Sequence, residues 1–499
     1  MTRTCVAGVC VLILAAMSGN CSQAEPEPEQ KQDAAVEQLP ASCVPAQPAT
    51  AHSAAVGGAA TASSATGSAP TGCAYLTGLG SAENTLAIDR QGHVFMAPVF
   101  TDQGVGILRS GDNGASWQAV LPQQTGGAQH GRAQPYLFLD PASDRLLFAT
   151  SKTTGLGQPN GFDLSISSDG GASWSASTFN VGTLDWVKIL SGPPVTSTLQ
   201  GYPSVLYASA PAPISTPSPL SNPDNQQILR SLDGGATWAN VGGKMLSLKP
   251  IDHGCTADEW VIYGDGVVDE RGSIFLGLRR CTHLGVAISH DEGATWRVQD
   301  VPGANIVAYG GLLSHLQLSN LMMTAPFAVD SAGNLYAIWP DANNALQYAV
   351  SKDKAQTWSA PVAINAPTAK QVVFGAIVTR APGTLAVAYY GSDDGQAYRG
   401  YIAETQNALD PQPTFWNIVI DDHGAPLFNG GFDIGYAEIL SGGDLVEIVQ
   451  VRYAPNGDLW AAFVKDMCPG SGSTGTCTWD LATHAKSPYQ GVIGHVTHH

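Results

Sequence analysis

One octapeptide pattern recurs five times along the chain. SGDNGASW (Ser110–Trp117), SSDGGASW (Ser167–Trp174), SLDGGATW (Ser231–Trp238), SHDEGATW (Ser289–Trp296) and SKDKAQTW (Ser351–Trp358) share Ser, Asp and Trp at offsets 0, 2 and 7. Four carry glycine at offset 4, and the fifth has Ala355 there. The starts are 57, 64, 58 and 62 residues apart, and a steady period of that size marks a repeated supersecondary unit.

Each octapeptide reads as a turn that ends in an anchor. Asp112, Asp169, Asp233, Asp291 and Asp353 can accept backbone N–H groups further along, while glycine supplies left-handed backbone at little steric cost. Trp117, Trp174, Trp238, Trp296 and Trp358 start the next strand with a ring that needs apolar neighbours. On this reading the boxes pin hairpins and do no chemistry.

A second element recurs: an apolar run, a tight turn and another apolar run. LAIDRQGHVFMAP (from Leu86), LFLDPASDRLLFAT (from Leu137), GVVDERGSIFLGL (from Gly266) and FAVDSAGNLYAIW (from Phe327) are the clear copies. YPSVLYAS (from Tyr202), IVTRAPGTLAVAYY (from Ile377) and VRYAPNGDLWAAF (from Val451) are weaker ones. Alternation around a tight turn is a hairpin signature. Two hairpin strands, a third leading into the octapeptide and a fourth starting at its tryptophan make a four-stranded antiparallel unit. Radial repetition of such units builds an all-β propeller. Seven hairpins predict seven blades, or six if the section after Asp410 is an appendage. GVIGHV (Gly491 to Val496) is expected to supply the last strand of the seventh.

The S-x-D-x-G-x-x-W boxes at this spacing resemble the Asp-box, or bacterial neuraminidase, repeats of the sialidase superfamily, over roughly residues 75 to 465. The resemblance implies the propeller fold. It does not imply one activity, because such boxes also occur in other glycosidases, polysaccharide lyases, sorting receptors and assembly factors. Sialidases of the superfamily use three arginines on the substrate carboxylate, a Tyr/Glu nucleophile pair and an Asp acid/base; the guanidinium fork suits the first task. Where the first arginine is expected, this chain reads SAENTLAID, with Glu83 or Asn84 in its neighbourhood. Arg109 and Arg230 directly precede boxes, and Arg132, Arg279 and Arg280 complete no triad. The expectation is a sialidase-like propeller without sialidase activity.

In a propeller the boxes and the first hairpins share one face, so binding groups should come from the other. Five segments there are chemically loaded: AQHGRAQPY (His130, Arg132, Tyr136), GTLDWVKIL (Asp185, Trp186, Lys188), PIDHGCTADEWVIYGDG (Asp252, His253, Asp258, Glu259, Asp265), LLSHLQLSN (His315) and IDDHGAPLFNGGFDIGY (Asp421, Asp422, His423, Asp433). Aromatic rings that can stack on sugars and paired carboxylates that can act as acid and base suit a glycan site. Asp252, His253, Asp258 and Glu259 form the candidate catalytic set. His130, Arg132, Tyr136, Asp185, Trp186, Lys188, Arg279, Arg280, His315 and His423 are the candidate ligand-binding residues. The first expectation is binding of a glycan or extracellular protein; the alternative is a glycoside hydrolase or polysaccharide lyase. No cofactor is called for, and no Cys/His spacing demands a metal. HVTHH (His495, His498, His499) reads as an exposed tail without a function.

With 23 basic against 41 acidic residues the formal net charge is −18, which disfavours nucleic acid and anionic membranes as partners. Arg3 followed by VAGVCVLILAAM (Val6 to Met17) predicts an export signal over residues 1–20. Cys21 stands in a lipobox-like context, so lipidation is expected, with simple cleavage as the alternative. Either route places the protein in a bacterial envelope or outside the cell, as a monomer. Residues 21–72 read as a low-complexity linker and 73–499 as the propeller. Neighbour pairing of the remaining cysteines would give Cys43–Cys73, Cys255–Cys281 and Cys468–Cys477, among other connectivities.

Overall fold

Period-two alternation of apolar residues becomes strand throughout the computed structural model, which shows no helix among its described residues. Those residues are 37–39, 42–54, 61–62, 68–122, 130, 135–151, 161–179, 187–211, 226–241, 263–280, 283–305, 326–429, 449–468 and 487–498.

Seven hairpins form among the described residues, the third starting upstream of the anticipated Tyr202 stretch. Their first strands are Thr85–Ile88, Tyr136–Asp140, Lys188–Gly192, Tyr263–Val268, Phe327–Val329, Gln371–Ala381 and Gln450–Tyr453. Each begins a four-stranded antiparallel unit, and the second to fifth units stand as separate four-stranded sheets. The seven first strands touch one another in chain order, and the last touches the first. They therefore ring an axis, with the other strands radiating outward as in a β-propeller. Apolar side chains fill the spaces between neighbouring units: Leu147, Leu164, Ile189 and Leu206 join the second to the third, and Phe275, Val286, Phe327 and Trp339 join the fourth to the fifth.

The ring closes with strands from both ends of the chain. Tyr489–Thr497 is the third strand of the seventh unit, and Thr71–Gly80 pairs beside it as the fourth, with Ala74 opposite Gly494. GVIGHV is thus the third strand rather than the last, because the outermost one arrives from more than 400 residues away in sequence. The exposed-tail reading of the terminal histidines is corrected as well. His495 is buried, stacks on Trp460 at 3.7 Å and places Nε2 3.1 Å from Asp458 Oδ2. His498 Nε2 lies 2.6 Å from Glu404 Oε2, and His499 lies outside the described residues.

Part of the segment read as a linker is strand. Cys43–Pro45 pairs with Cys73–Tyr75, and Thr50–Ser53 pairs with 414–417 on the outer edge of the sixth unit. Small residues suffice here because an outer edge offers unpaired backbone groups, a contribution that composition does not reveal. His52 anchors the second strand: it is buried, its Nε2 is 2.9 Å from Ile364 O, and its Nδ1 meets Asn417. Burial pulls its pKa down to about 4. Cys43 and Cys73 form the expected disulfide, 30 residues apart. Cys468 is also disulfide-bonded; Cys255, Cys281 and Cys477 lie outside the described residues. Replacing Cys43 and Cys73 together with alanine is expected to lower unfolding free energy by about 3–4 kcal/mol, from the entropy of a loop this long. Urea titration of the double variant checks this, and a loss below about 1 kcal/mol would show the edge strands hold without the bond.

The five octapeptides repeat one hydrogen-bond pattern. The serine hydroxyl donates to the aspartate at 2.7–2.9 Å and accepts the N–H of position five at 2.8–2.9 Å. The aspartate then accepts the backbone N–H of the following Ser or Thr at 2.8–2.9 Å. Trp174, Trp238 and Trp296 donate their indole N–H to the carbonyl of position five. None of the five rings points into water: Trp117 is buried, and the others are half-buried against the core. A sixth turn of this kind escaped the sequence pattern. In the sixth unit Thr405 donates to Asn407 Oδ1 at 2.8 Å, and Thr414 N donates to the same oxygen at 3.0 Å. The Thr/Asn pair and a longer loop before Trp416 hid it.

Position four of a box ties its unit to the first hairpin of the unit before it. Lys354 Nζ lies 2.9 Å from Asp269 Oδ2. Asn113 Nδ2 donates to Asp458 at 3.4 Å, across the ring closure. Glu292 accepts N–H groups from Val195, Thr196 and Ser197. At Gly234 the backbone itself accepts: Arg145 Nη1 donates to its carbonyl at 2.8 Å, and a Cβ there would stand 1.9 Å from that nitrogen. The boxes therefore join units as well as hairpins.

Candidate functional site

First-strand residues from all seven units line a cavity of 410 Å³ along the ring axis. Its walls are mainly apolar, with Leu86, Ile88, Phe138, Ile189, Val267, Phe327 and Ile377 among them. Alternate residues of a strand share one face, so first-strand side chains turn toward the neighbouring units on either side, as Leu86, Ile189 and Phe327 do. Two charged residues interrupt this lining, Asp265 and Arg452.

These two belong to a larger polar cluster. Lys188 Nζ is 3.1 Å from Asp265 Oδ1 and 5.0 Å from the centre of the Tyr136 ring. Gln450 Nε2 donates to Asp265 Oδ2 at 3.1 Å. Gln450 Oε1 accepts from Leu86 N at 2.8 Å and from Arg452 Nη2 at 3.2 Å. Burial, reinforced by the Asp265 charge, pushes the Tyr136 phenol well above its ordinary pKa, so it stays protonated as a hydrogen-bond donor. Tyr136, Lys188 and Gln450 are the first residues of their strands. The cluster therefore sits at the strand-start face, opposite the boxes and the first hairpins.

A buried ion pair needs further hydrogen bonds to be tolerated in apolar surroundings, and Gln450 and Tyr136 supply them. The result is a preorganised set of donors and acceptors at one mouth of an apolar channel. Arg452 already donates Nη1 to Val451 O at 2.9 Å and Nη2 to Gln450. Two of its five N–H groups are thus engaged within the chain, and the side chain lines the cavity.

The structure brings together Tyr136, Lys188 and Asp265 from the predicted segments. It places His130 elsewhere: the ring is buried in the second unit, with Nδ1 2.7 Å from Thr150 Oγ1 and Nε2 2.6 Å from Ser165 Oγ. Burial lowers its pKa to about 3, and both nitrogens are engaged by its own unit, so it is a core histidine and not a free ligand group. His423 is exposed beside Asp422, at 2.8 Å. Arg279 and Arg280 end the second strand of the fourth unit. Arg132, Asp185, Trp186, Asp252, His253, Asp258, Glu259, His315 and Cys21 lie outside the described residues. Gln450 and Arg452 were missed; their signal was a long polar side chain at i and at i+2 on a first strand where the first unit has the small residues Thr85 and Ala87. Glu83 and Asn84 are both buried, and Asn84 ties the chain to Phe463 O and Ser81. Among the described residues no group of three or more metal-ligating side chains gathers.

No family model matches the chain. It is similar to a xyloglucanase of Paenibacillus sp, 29% identical over 289 residues, covering 51% of this chain and 23% of that protein. A xyloglucanase of Hypocrea jecorina is 26% identical over 420 residues, covering 76% of this chain and 44% of that protein. The chain thus spans less than half the length of these relatives. Among solved structures, the NanB sialidase of Streptococcus pneumoniae aligns at 13% identity and a TM-score of 0.36, over 84% of this chain and 69% of that one. An α-L-arabinofuranosidase of Fusarium graminearum aligns at 11% identity and a TM-score of 0.38, over 68% of this chain and 92% of that one. No residue role is carried over from any of them.

Proposed function

We propose that the protein is an exported seven-bladed propeller that binds a neutral glycan chain at the strand-start mouth of its channel. The observation that carries this reading is the Tyr136–Lys188–Asp265–Gln450–Arg452 cluster set into an otherwise apolar axial cavity. Fixed donors and acceptors beside apolar walls suit a polyhydroxylated ligand with apolar ring faces. A neutral glycan is favoured over a sialylated one because Arg452 is the one arginine among the described lining residues and the whole chain carries −18. The similarity to xyloglucanases makes a xyloglucan-type polysaccharide the first candidate. On this reading Asp185, Trp186, His253 and His315 are further candidate binding residues, residues 1–20 direct export, and Cys21 is a candidate lipid anchor. Among the described residues no helix is long and apolar enough to cross a membrane.

The relatives' names favour a second reading, hydrolysis of such a polysaccharide. Among the described residues Asp265 is the sole carboxylate lining the cavity, so two-acid chemistry would need a partner such as Asp252, Asp258 or Glu259. Affinity electrophoresis in xyloglucan gels, with a reducing-end assay on the same protein, separates the readings. Retardation without new reducing ends is expected, weakened at least tenfold by Arg452→Ala. Release of reducing ends that disappears in Asp258→Asn or Glu259→Gln would establish the hydrolase instead, and absence of retardation on any neutral polysaccharide would remove the glycan reading.

A further inference from the structure

The fifth box departs from the others in a way that opens a groove. Its outer strand is only Val362–Ala363, beginning four residues after Trp358, because Pro361 has no N–H to donate and interrupts the pairing. Ser359 fills the gap locally: its N–H donates to Val350 O at 2.8 Å and its hydroxyl accepts from Val350 N at 3.0 Å. Between Ser359 and Val362 the outer strand makes no ladder pair, on the side that faces the turn of the sixth unit. A cavity of 400 Å³ results, lined by Tyr348, Lys352, Thr357, Trp358, Leu409 and Asp410 among others. The Trp358 indole N–H, unlike those of Trp174, Trp238 and Trp296, is not tied back to its turn and has no hydrogen-bond partner.

This volume falls in the range of about 300–1,000 Å³ typical of small-ligand sites. An indole forms part of the wall, the hydroxyls of Thr357 and Ser359 stand beside it with one bond each to Asp353 and Val350 N, and one cation and one anion, Lys352 and Asp410, are exposed at the rim. Opposite charges of equal number favour a neutral ligand, and an aromatic wall beside hydroxyl-bearing groups favours a sugar ring. We infer that this groove is a second glycan-binding site, taking one or two neutral sugar units on the box face, opposite the channel mouth. It rests on the glycan reading but uses none of the same residues. Two sites on opposite faces would let one molecule hold two polysaccharide strands.

Calorimetric titration of the full chain with a xyloglucan oligosaccharide tests it. Wild-type protein is expected to show two sites, and Lys352→Ala/Asp410→Ala one. Ala360→Trp, which fills the groove from an exposed position, is also expected to leave one site. Arg452→Ala should remove the other. A single wild-type site lost only in Arg452→Ala would overturn the groove and leave the channel reading standing. A single site lost only in Ala360→Trp would support the groove and remove the channel reading; no binding at all would overturn both.

Discussion

Replacing Lys188 with methionine is expected to destabilise the protein by about 3–5 kcal/mol. The side chains of Lys188 and Asp265 are 5% and 11% exposed, so neither charge is solvated if its partner disappears. Breaking a buried pair strands the remaining ion, and that penalty exceeds anything the pair itself contributes. Gln450 donates one hydrogen bond to Asp265, which softens the loss without removing it. Lys188→Met/Asp265→Leu is expected to recover most of the stability, because the channel walls are already apolar and no unpaired charge is left. The same double variant should lose glycan binding. Denaturant unfolding of the two single variants and the double completes the cycle. A Lys188→Met cost below about 1 kcal/mol would mean that water reaches Asp265 and that the cluster is not preorganised.

That cycle also bears on why the site was only half legible in sequence. Tyr136, Lys188 and Asp265 were reachable because they stand next to first hairpins whose positions the repeat defines. Gln450 and Arg452 were hidden inside a hairpin recognised only for its turn, although polar residues two apart on an axis-facing strand are costly unless paired. His130 shows the opposite error. Its neighbours in sequence suggested a ligand group, whereas its partners, Thr150 and Ser165, come from the second and third strands of the same unit. The repeat itself was transparent, since turn chemistry and alternation are local. Ring closure was not: the pairing of Thr71–Gly80 with Tyr489–Thr497 depends on backbone groups at opposite ends of the chain. The edge strands at 43–45 and 50–53 were lost for the same reason, as strand addition asks little of side chains.

The other large effect is expected at Glu292, where the box of the fourth unit clamps the third. Its carboxylate is fully buried and accepts from Val195 N at 2.6 Å, Thr196 N at 2.8 Å and Ser197 N at 3.0 Å, from the Ser197 hydroxyl, and from Arg230 Nη1 at 2.7 Å. Burial alone would raise its pKa. The hydrogen bonds outweigh that and hold it down to about 2, against an ordinary value of 4.5. A depressed carboxylate stabilises the fold fully above its unfolded-state pKa, and the contribution fades as pH falls from about 4.5 toward 2. At about 1.4 kcal/mol per pKa unit this amounts to roughly 3 kcal/mol at neutral pH. Glu292 also sits at φ +57°, a conformation that costs a side-chain-bearing residue about 1–2 kcal/mol. Glu292→Gly should recover that strain yet still lose the clamp, for a net loss of about 1–2 kcal/mol. Glu292→Gln, which keeps the shape but removes the charge, should lose about 2–3 kcal/mol at pH 7 and little at pH 2.5. Unfolding midpoints at the two pH values decide it. Equal losses at both would show that shape rather than charge holds the third and fourth units together, and a more stable Glu292→Gly protein would show that the clamp never offset the strained backbone.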